Sequence, residues 1–350
     1  MADKFLPLLF NAFLATPREH RGPLARCVSA YALVCARPVL AGLFRVVLQK
    51  LLKVVSDAQA DAPPRDPVTE GGDTPVERRC AFTELALCLA GGLGAEELAA
   101  LYAVARPGVS DAEASVQKKS YKVLGYLCEH GRGFLRPRAQ EVLGLLAEAL
   151  PACNSAARRF RLRCVKALVM EASRPGARLV PVGEGEEEGD GEDARARVLA
   201  GLVTEVVLSL KEANKKTRAA AYDLLVELGN EMEGAARERE RGEGDADMGE
   251  GSSGDAQSGG LFDLVRVVLA GLVGQTPHMM SAAVMALARL LYEFAPQMRP
   301  LLGQLMPAVL MLLRSKAREV VKSVLGFCKV VVMRRAMRGP QRGIAHDDHH

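Results

Sequence analysis

Nine lysines and arginines stand at the openings of successive helical stretches: Lys118, Lys119, Arg158, Arg159, Lys215, Lys216, Arg218, Lys316 and Arg318. A helix opening presents free backbone N–H groups and the positive end of the helix dipole, where aspartate or glutamate sits more favourably than a cation. Two kinds of chemistry account for bases in such places. Together with the free N–H groups they complete a site for phosphate oxygens, as in RNA. Alternatively, each base pairs with an acid of a neighbouring repeat, as a rung in an ion-pair ladder. The spacing of the residues is compatible with both.

Other groups with chemical capacity point to no reaction. The run GGLGAEE, Gly91 to Glu97, lacks the lysine and the flanking strand of a phosphate-binding loop, and reads as the turn of a helical hairpin. The acids from Glu184 to Asp193 are interspersed with glycine and read as a solvated loop rather than a divalent-cation site. His346, Asp347, Asp348, His349 and His350 form a cluster that nothing orients, and a disordered end is expected there. The eight cysteines form no CxxC pair. Cys27 and Cys35, like Cys80 and Cys88, are eight apart within apolar helical runs, which predicts buried thiols in a reducing compartment. No catalytic residue, cofactor, metal or small-molecule substrate is expected.

The elements that must position the cations are helices. Hydrophobic residues make up 49% of the 350 and aromatics only 5%, with no tryptophan, so leucine, alanine and valine carry the core and the composition reads as all-α. The stretch Glu212 to Met232 sets the pattern, with a basic opening followed by a helical face at Ala219, Tyr222, Leu225, Val226 and Gly229. Asp111 to Gly131 and Ser155 to Met170 echo it, and Pro277 to Phe294 and Lys316 to Met333 continue it. Further helices are predicted at 5–14, 23–55 with a break near Arg37-Pro38, 77–90, 95–104, 134–150, 198–210, 261–273 and 301–313. Lys119 to Arg159 is 40 residues and His278 to Ala317 is 39, the period of HEAT or armadillo helix pairs. The expected fold is therefore an all-α, right-handed α-solenoid of HEAT/armadillo-like helical hairpins.

Along the chain this gives N-terminal helical repeats at 1–55, a flexible loop at 56–76 and repeats at 77–181. An acidic loop follows at 182–193, then a repeat at 194–230, a disordered acidic and glycine-rich insert at 231–260, repeats at 261–335 and a disordered tail at 336–350. The three acidic segments together carry a net charge of −17, so the rest of the chain carries +21 within an overall +4. A basic body with acidic loops favours a polyanionic partner such as RNA, or is partly neutralised by its own loops. The N-terminal apolar run is preceded by Asp3 and interrupted by Pro7, which makes a poor signal peptide, and no run reaches the length of a membrane span, so a soluble intracellular protein is expected.

Five segments carry a family resemblance: VQKKSYKVLGYLCE, RRFRLRCVKALV, EANKKTRAAAYDLLVELGNEM, GLVGQTPHMMSAAVMALARLLYEF and LMPAVLMLLRSKAREVVKSVLGFCKVVV. Over roughly Glu77 to Val332 the chain resembles the middle of the ribosomal RNA-processing protein 12 family, HEAT-repeat factors of small-subunit assembly and export. The resemblance implies a nuclear and nucleolar location, and as partners pre-ribosomal particle proteins, precursor ribosomal RNA and nuclear-export machinery. It carries over no catalytic residues. Two functional classes are expected: an RNA-contacting assembly scaffold, and a protein-only adaptor of transport-receptor type that binds partner helices or a Ran-type GTPase.

Overall fold

The computed structural model describes residues 2–59, 74–131, 133–172, 191–243 and 260–336. Most of the three acidic segments and the His/Asp tail lie outside the described residues. Among the described residues there is no strand, and no helix is long and apolar enough to cross a membrane. The chain divides into two units, Met1–Arg195 and Ala196–His350.

The first unit contains α1 (Ala2–Ala15), α2 (Arg21–Val34), α3 (Arg37–Gln59), α4 (Pro75–Leu89), α5 (Ala95–Ala105), α6 (Ala114–His130), α7 (Ala139–Ala149) and α8 (Ser155–Ala172). Consecutive helices pack as hairpins, and every second helix also packs on the next of its own layer, so α2, α4, α6 and α8 lie side by side. This gives a two-layer stack of helical hairpins, with each apolar face buried against sequence neighbours. Phe13, Val28, Leu85, Leu89, Leu101, Tyr121, Leu124, Leu127, Val165 and Leu168 are almost wholly buried in its core.

Local chemistry explains where these helices begin. Thr74 Oγ1 accepts from the Glu77 N–H, and the Glu77 carboxylate accepts from the Thr74 N–H, a reciprocal cap that places Pro75 at the first helical position. The GGLGAEE run is the expected hairpin turn, and the Gly94 N–H donates to Glu97. Gly92 is required there by close approach: a Cβ would stand 2.4 Å from the Ala32 carbonyl oxygen and 2.5 Å from a Leu40 methyl.

The boundary between the units falls inside α9 (Gly191–Ser209), which is followed by α10 (Lys215–Glu243), α11 (Leu261–Ala270), α12 (Pro277–Glu293), α13 (Ala295–Met298), α14 (Leu302–Met311) and α15 (Arg318–Ala336). Within the second unit, α10 packs on α12 and α12 packs closely on α15. Thr276 caps α12 by accepting from the Met279 N–H at 3.2 Å, with Pro277 in the first turn.

Several boundaries differ from the sequence reading. In the 56–76 segment, residues 56–59 extend α3 and Pro75 opens α4. Residues 191–193 of the acidic loop begin α9. The insert expected to be disordered from 231 remains helical to Glu243 as the continuation of α10. Ala, Arg and Glu are strong helix formers, and Glu233 and Arg237 form an i,i+4 ion pair at 3.2 Å. The buried face of α10 is also rotated: Ala221, Leu224, Leu225, Leu228 and Met232 form the core seam, while Ala219 is exposed and Tyr222 and Val226 are half-buried. Neighbouring helices on more than one side, rather than a single stripe, select this seam.

Candidate nucleic-acid interface

The basic helix openings follow turns built by side chains. Asn154 accepts from the Ala156 N–H and Asn214 from the Lys216 N–H, both at 2.9 Å, so an asparagine shapes the entry to α8 and to α10. The cations that follow have different fates.

Lys119 is a ladder rung. Its Nζ lies 2.5 Å from the Glu84 carboxylate on α4, and Lys122 approaches the other oxygen of the same group at 3.5 Å. Burial opposes charge on Glu84, but the two ammonium groups outweigh it and hold the carboxyl below the ordinary glutamate range. Comparable rungs join α4 to the turn before α6 (Arg79–Asp111, 2.6 Å), the end of α5 to α7 (Arg106–Glu141, 3.0 Å) and α8 to α6 (Arg163 Nε to Glu129, 3.1 Å). In the second unit, Lys211 pairs with Glu319.

Arg218 serves the chain turn. One of its terminal nitrogens donates to the carbonyls of Glu212 and Ala213, at 2.7 and 2.9 Å, just before its own helix. Arg161, which the sequence reading passed over, is the buried counterpart in the first unit. It is 2% exposed and donates to the Leu146 carbonyl at 2.7 Å and to the Tyr121 hydroxyl at 3.2 Å. Such arginines explain cations in the first two turns of a helix without a ligand, because they satisfy carbonyls left over from the preceding segment. Gln117 is a neutral version, wholly buried, holding the α7–α8 connection through the Ala152 carbonyl and the Asn154 N–H. The only sequence signal for Arg161 and Gln117 is a polar residue on an otherwise apolar face.

The remaining candidates are more open. Lys118 is half-buried, and no ion pair to it is found among the described residues. Burial, followed by the positive charges of Arg159, Lys119, Arg18 and Lys122, holds its ammonium below the ordinary lysine value. Arg159 lies over the Phe160 ring at 4.4 Å, and Arg158 is half-buried beside it. Lys215 and Lys216 at the opening of α10 are exposed, as are Lys316 in the turn before α15 and Arg318 in its first turn. The structure thus separates nine similar cations into a rung (Lys119), a turn clamp (Arg218), the half-buried Lys118, Arg158 and Arg159, and four exposed bases.

No cluster of three or more His, Cys, Asp or Glu residues able to hold a metal is found among the described residues. All eight cysteines are free thiols. Cys80, Cys128, Cys153 and Cys164 are buried, Cys35, Cys88 and Cys328 are half-buried, and Cys27 is exposed, contrary to the sequence reading. On α2 the core seam runs through Val28 and Ala32, which turns Cys27 outward.

Stacked hairpins joined by side-chain rungs define an all-α protein of the helical-repeat class. No family model matches the chain. Over 95% of its length it is 24% identical to ribosomal RNA-processing protein 12 of Saccharomyces cerevisiae and 28% identical to the RRP12-like protein of Homo sapiens. A putative ribosomal RNA-processing protein 12 of Schizosaccharomyces pombe is 23% identical over the same share. The chain is thus similar to part of these ribosomal RNA-processing protein 12 relatives, and it spans 22% to 26% of their length. Among solved structures it is similar to a Kap95p chain (13% identity, TM-score 0.42, 99% of this chain and 36% of that one) and to importin beta (13%, 0.37, 95% and 34%).

Proposed function

We propose that the chain is a non-enzymatic helical-repeat scaffold of ribosome biogenesis that contacts precursor ribosomal RNA through phosphates. The observation that carries this reading is Lys118, half-buried among Arg159, Lys119, Arg18 and Lys122 with no carboxylate of its own among the described residues. A phosphate group relieves that crowding, whereas Lys119 already has Glu84. Homology to proteins named for ribosomal RNA processing supports an RNA partner of this kind. In this reading the scaffold acts in the nucleolus and nucleus, in precursor RNA processing and in small-subunit assembly and export, alongside pre-ribosomal proteins and export machinery.

The test is binding of the full chain to single-stranded RNA across a salt series. Replacing Lys118, Lys215 and Lys216 with Glu is expected to weaken binding to all sequences alike. The slope of log affinity against log salt is expected to flatten by about 0.7 for each phosphate that the variant no longer neutralises. Lys119→Glu, by contrast, is expected to lower stability, because it opposes Glu84. If the triple variant binds RNA as the parent does, the cations are structural and the protein-only adaptor becomes the better reading.

A further inference from the structure

The second unit carries a groove of about 660 Å³ across α10, α12 and α15 that the RNA reading does not use. Met285 and Ala288 of α12 and Gly326 and Val330 of α15 give it an apolar lining, with Tyr222 and Tyr292 also part of its wall. Each tyrosine already has a guanidinium over its ring, Arg289 over Tyr222 at 6.0 Å and Arg334 over Tyr292 at 4.2 Å. Rings covered in this way are poorly placed as the stacking platform on which single-stranded RNA lays its bases. The lining instead suits an aliphatic or aromatic side chain, with a methionine that adapts to its shape.

The charges around the groove select the rest of the ligand. The acids nearby are committed, Glu319 to Lys211 and Glu293 to Arg289 at 2.9 Å. Lys322 is exposed in the lining with no carboxylate partner among the described residues, and Arg334 donates to the Tyr292 carbonyl rather than to an acid. The surplus is positive. We infer that this groove binds an acidic peptide segment of a partner protein that inserts one bulky apolar side chain between α12 and α15. Three adjacent helices at the usual spacing of about 8–10 Å are spanned by roughly six extended residues. The volume is in the range of a specific pocket.

A fluorescein-labelled peptide, Glu-Asp-Glu-Leu-Phe-Asp-Glu-Glu, titrated with the full chain and read by anisotropy, tests the inference. Saturable binding is expected, and replacing the Leu-Phe pair with Ser-Ser is expected to abolish it. Gly326→Leu is the blocking variant: a Cβ at Gly326 meets nothing within 4 Å, so the helix tolerates the change while the groove fills. It is expected to weaken the peptide at least about tenfold with an unchanged melting temperature, and Lys322→Glu by about threefold with a weaker salt dependence. Lys118→Glu, in the other unit, is expected to leave peptide binding as it was, which separates this result from the RNA test. Equal binding by Gly326→Leu, equal binding of the Ser-Ser peptide, or displacement of the peptide by oligouridylate would each overturn the inference.

Discussion

A cation in a first helical turn opposes the helix dipole, and the structure shows what offsets that cost at individual residues. Arg218, in the first turn of α10, donates to the Glu212 and Ala213 carbonyls, and Arg161, in the second turn of α8, is the buried case, with the Leu146 carbonyl and the Tyr121 hydroxyl among its acceptors. Truncating it leaves those groups without this donor in the core. Arg161→Ala is therefore expected to destabilise the chain by roughly 3 kcal/mol in urea unfolding, while Arg161→Lys recovers part of the loss. Arg159→Ala, removing a cation over a ring rather than a buried donor, is expected to cost about 1 kcal/mol or less. A similar loss in both alanine variants would show that charge alone, and not the acceptors around Arg161, sets the effect.

Within a single helix, close packing depends on what is missing as much as on what is present. Gly229 of α10 lies against Phe294, and a Cβ there would stand 2.7 and 2.8 Å from two ring carbons. Gly234, further along the same helix, has nothing within 4 Å of its Cβ position. Alanine raises helix propensity by up to about 1 kcal/mol at either site. At Gly229 that gain is outweighed by overpacking of about 1–3 kcal/mol. Gly229→Ala is thus expected to lower the melting temperature and Gly234→Ala to raise it slightly. Two increases would show that α10 and Phe294 separate easily.

Across the whole chain, the rungs make stability depend on pH. The Glu84 carboxyl lies below its ordinary value of 4.5 in the folded chain, because Lys119 and Lys122 overcome its burial. A carboxyl lowered by folding contributes stability that is complete above its unfolded value and is lost as pH falls through the folded one. Glu319, paired with Lys211, is lowered in the same direction by that hydrogen bond. The chain is therefore expected to lose stability progressively below about pH 4.5. In a series of unfolding curves, the stability difference between the parent and Glu84→Gln should shrink as pH falls through this window. A difference that stays constant down to pH 2 would remove Glu84 as a source of the acid sensitivity.

The helices and many of their ends are written in the local sequence, because propensity, capping and periodicity act over a few residues. Thr74 with Glu77, Thr276 with Pro277 and the turn at Gly91-Gly92 are all legible in this way. The resemblance, carried by extended motifs such as TPHMMSAA, is legible as well and agrees with the relatives found. The helical end of α10 is not, because the acids and glycines after Gly242 colour the reading of the Glu/Arg run before them. The fate of each cation, by contrast, is settled by tertiary packing. Lys118 and Lys119 are adjacent and alike in type, yet Lys119 meets Glu84, 35 residues away, whereas Lys118 sits in the positive field of Arg159 and Arg18. Lys211 finds Glu319 across 108 residues. Such pairings are set by which helix faces which across the stack, and a rotation of one helix by a single residue moves a side chain about 100° around it. The exposure of Cys27 and the turned face of α10 follow from the same cause.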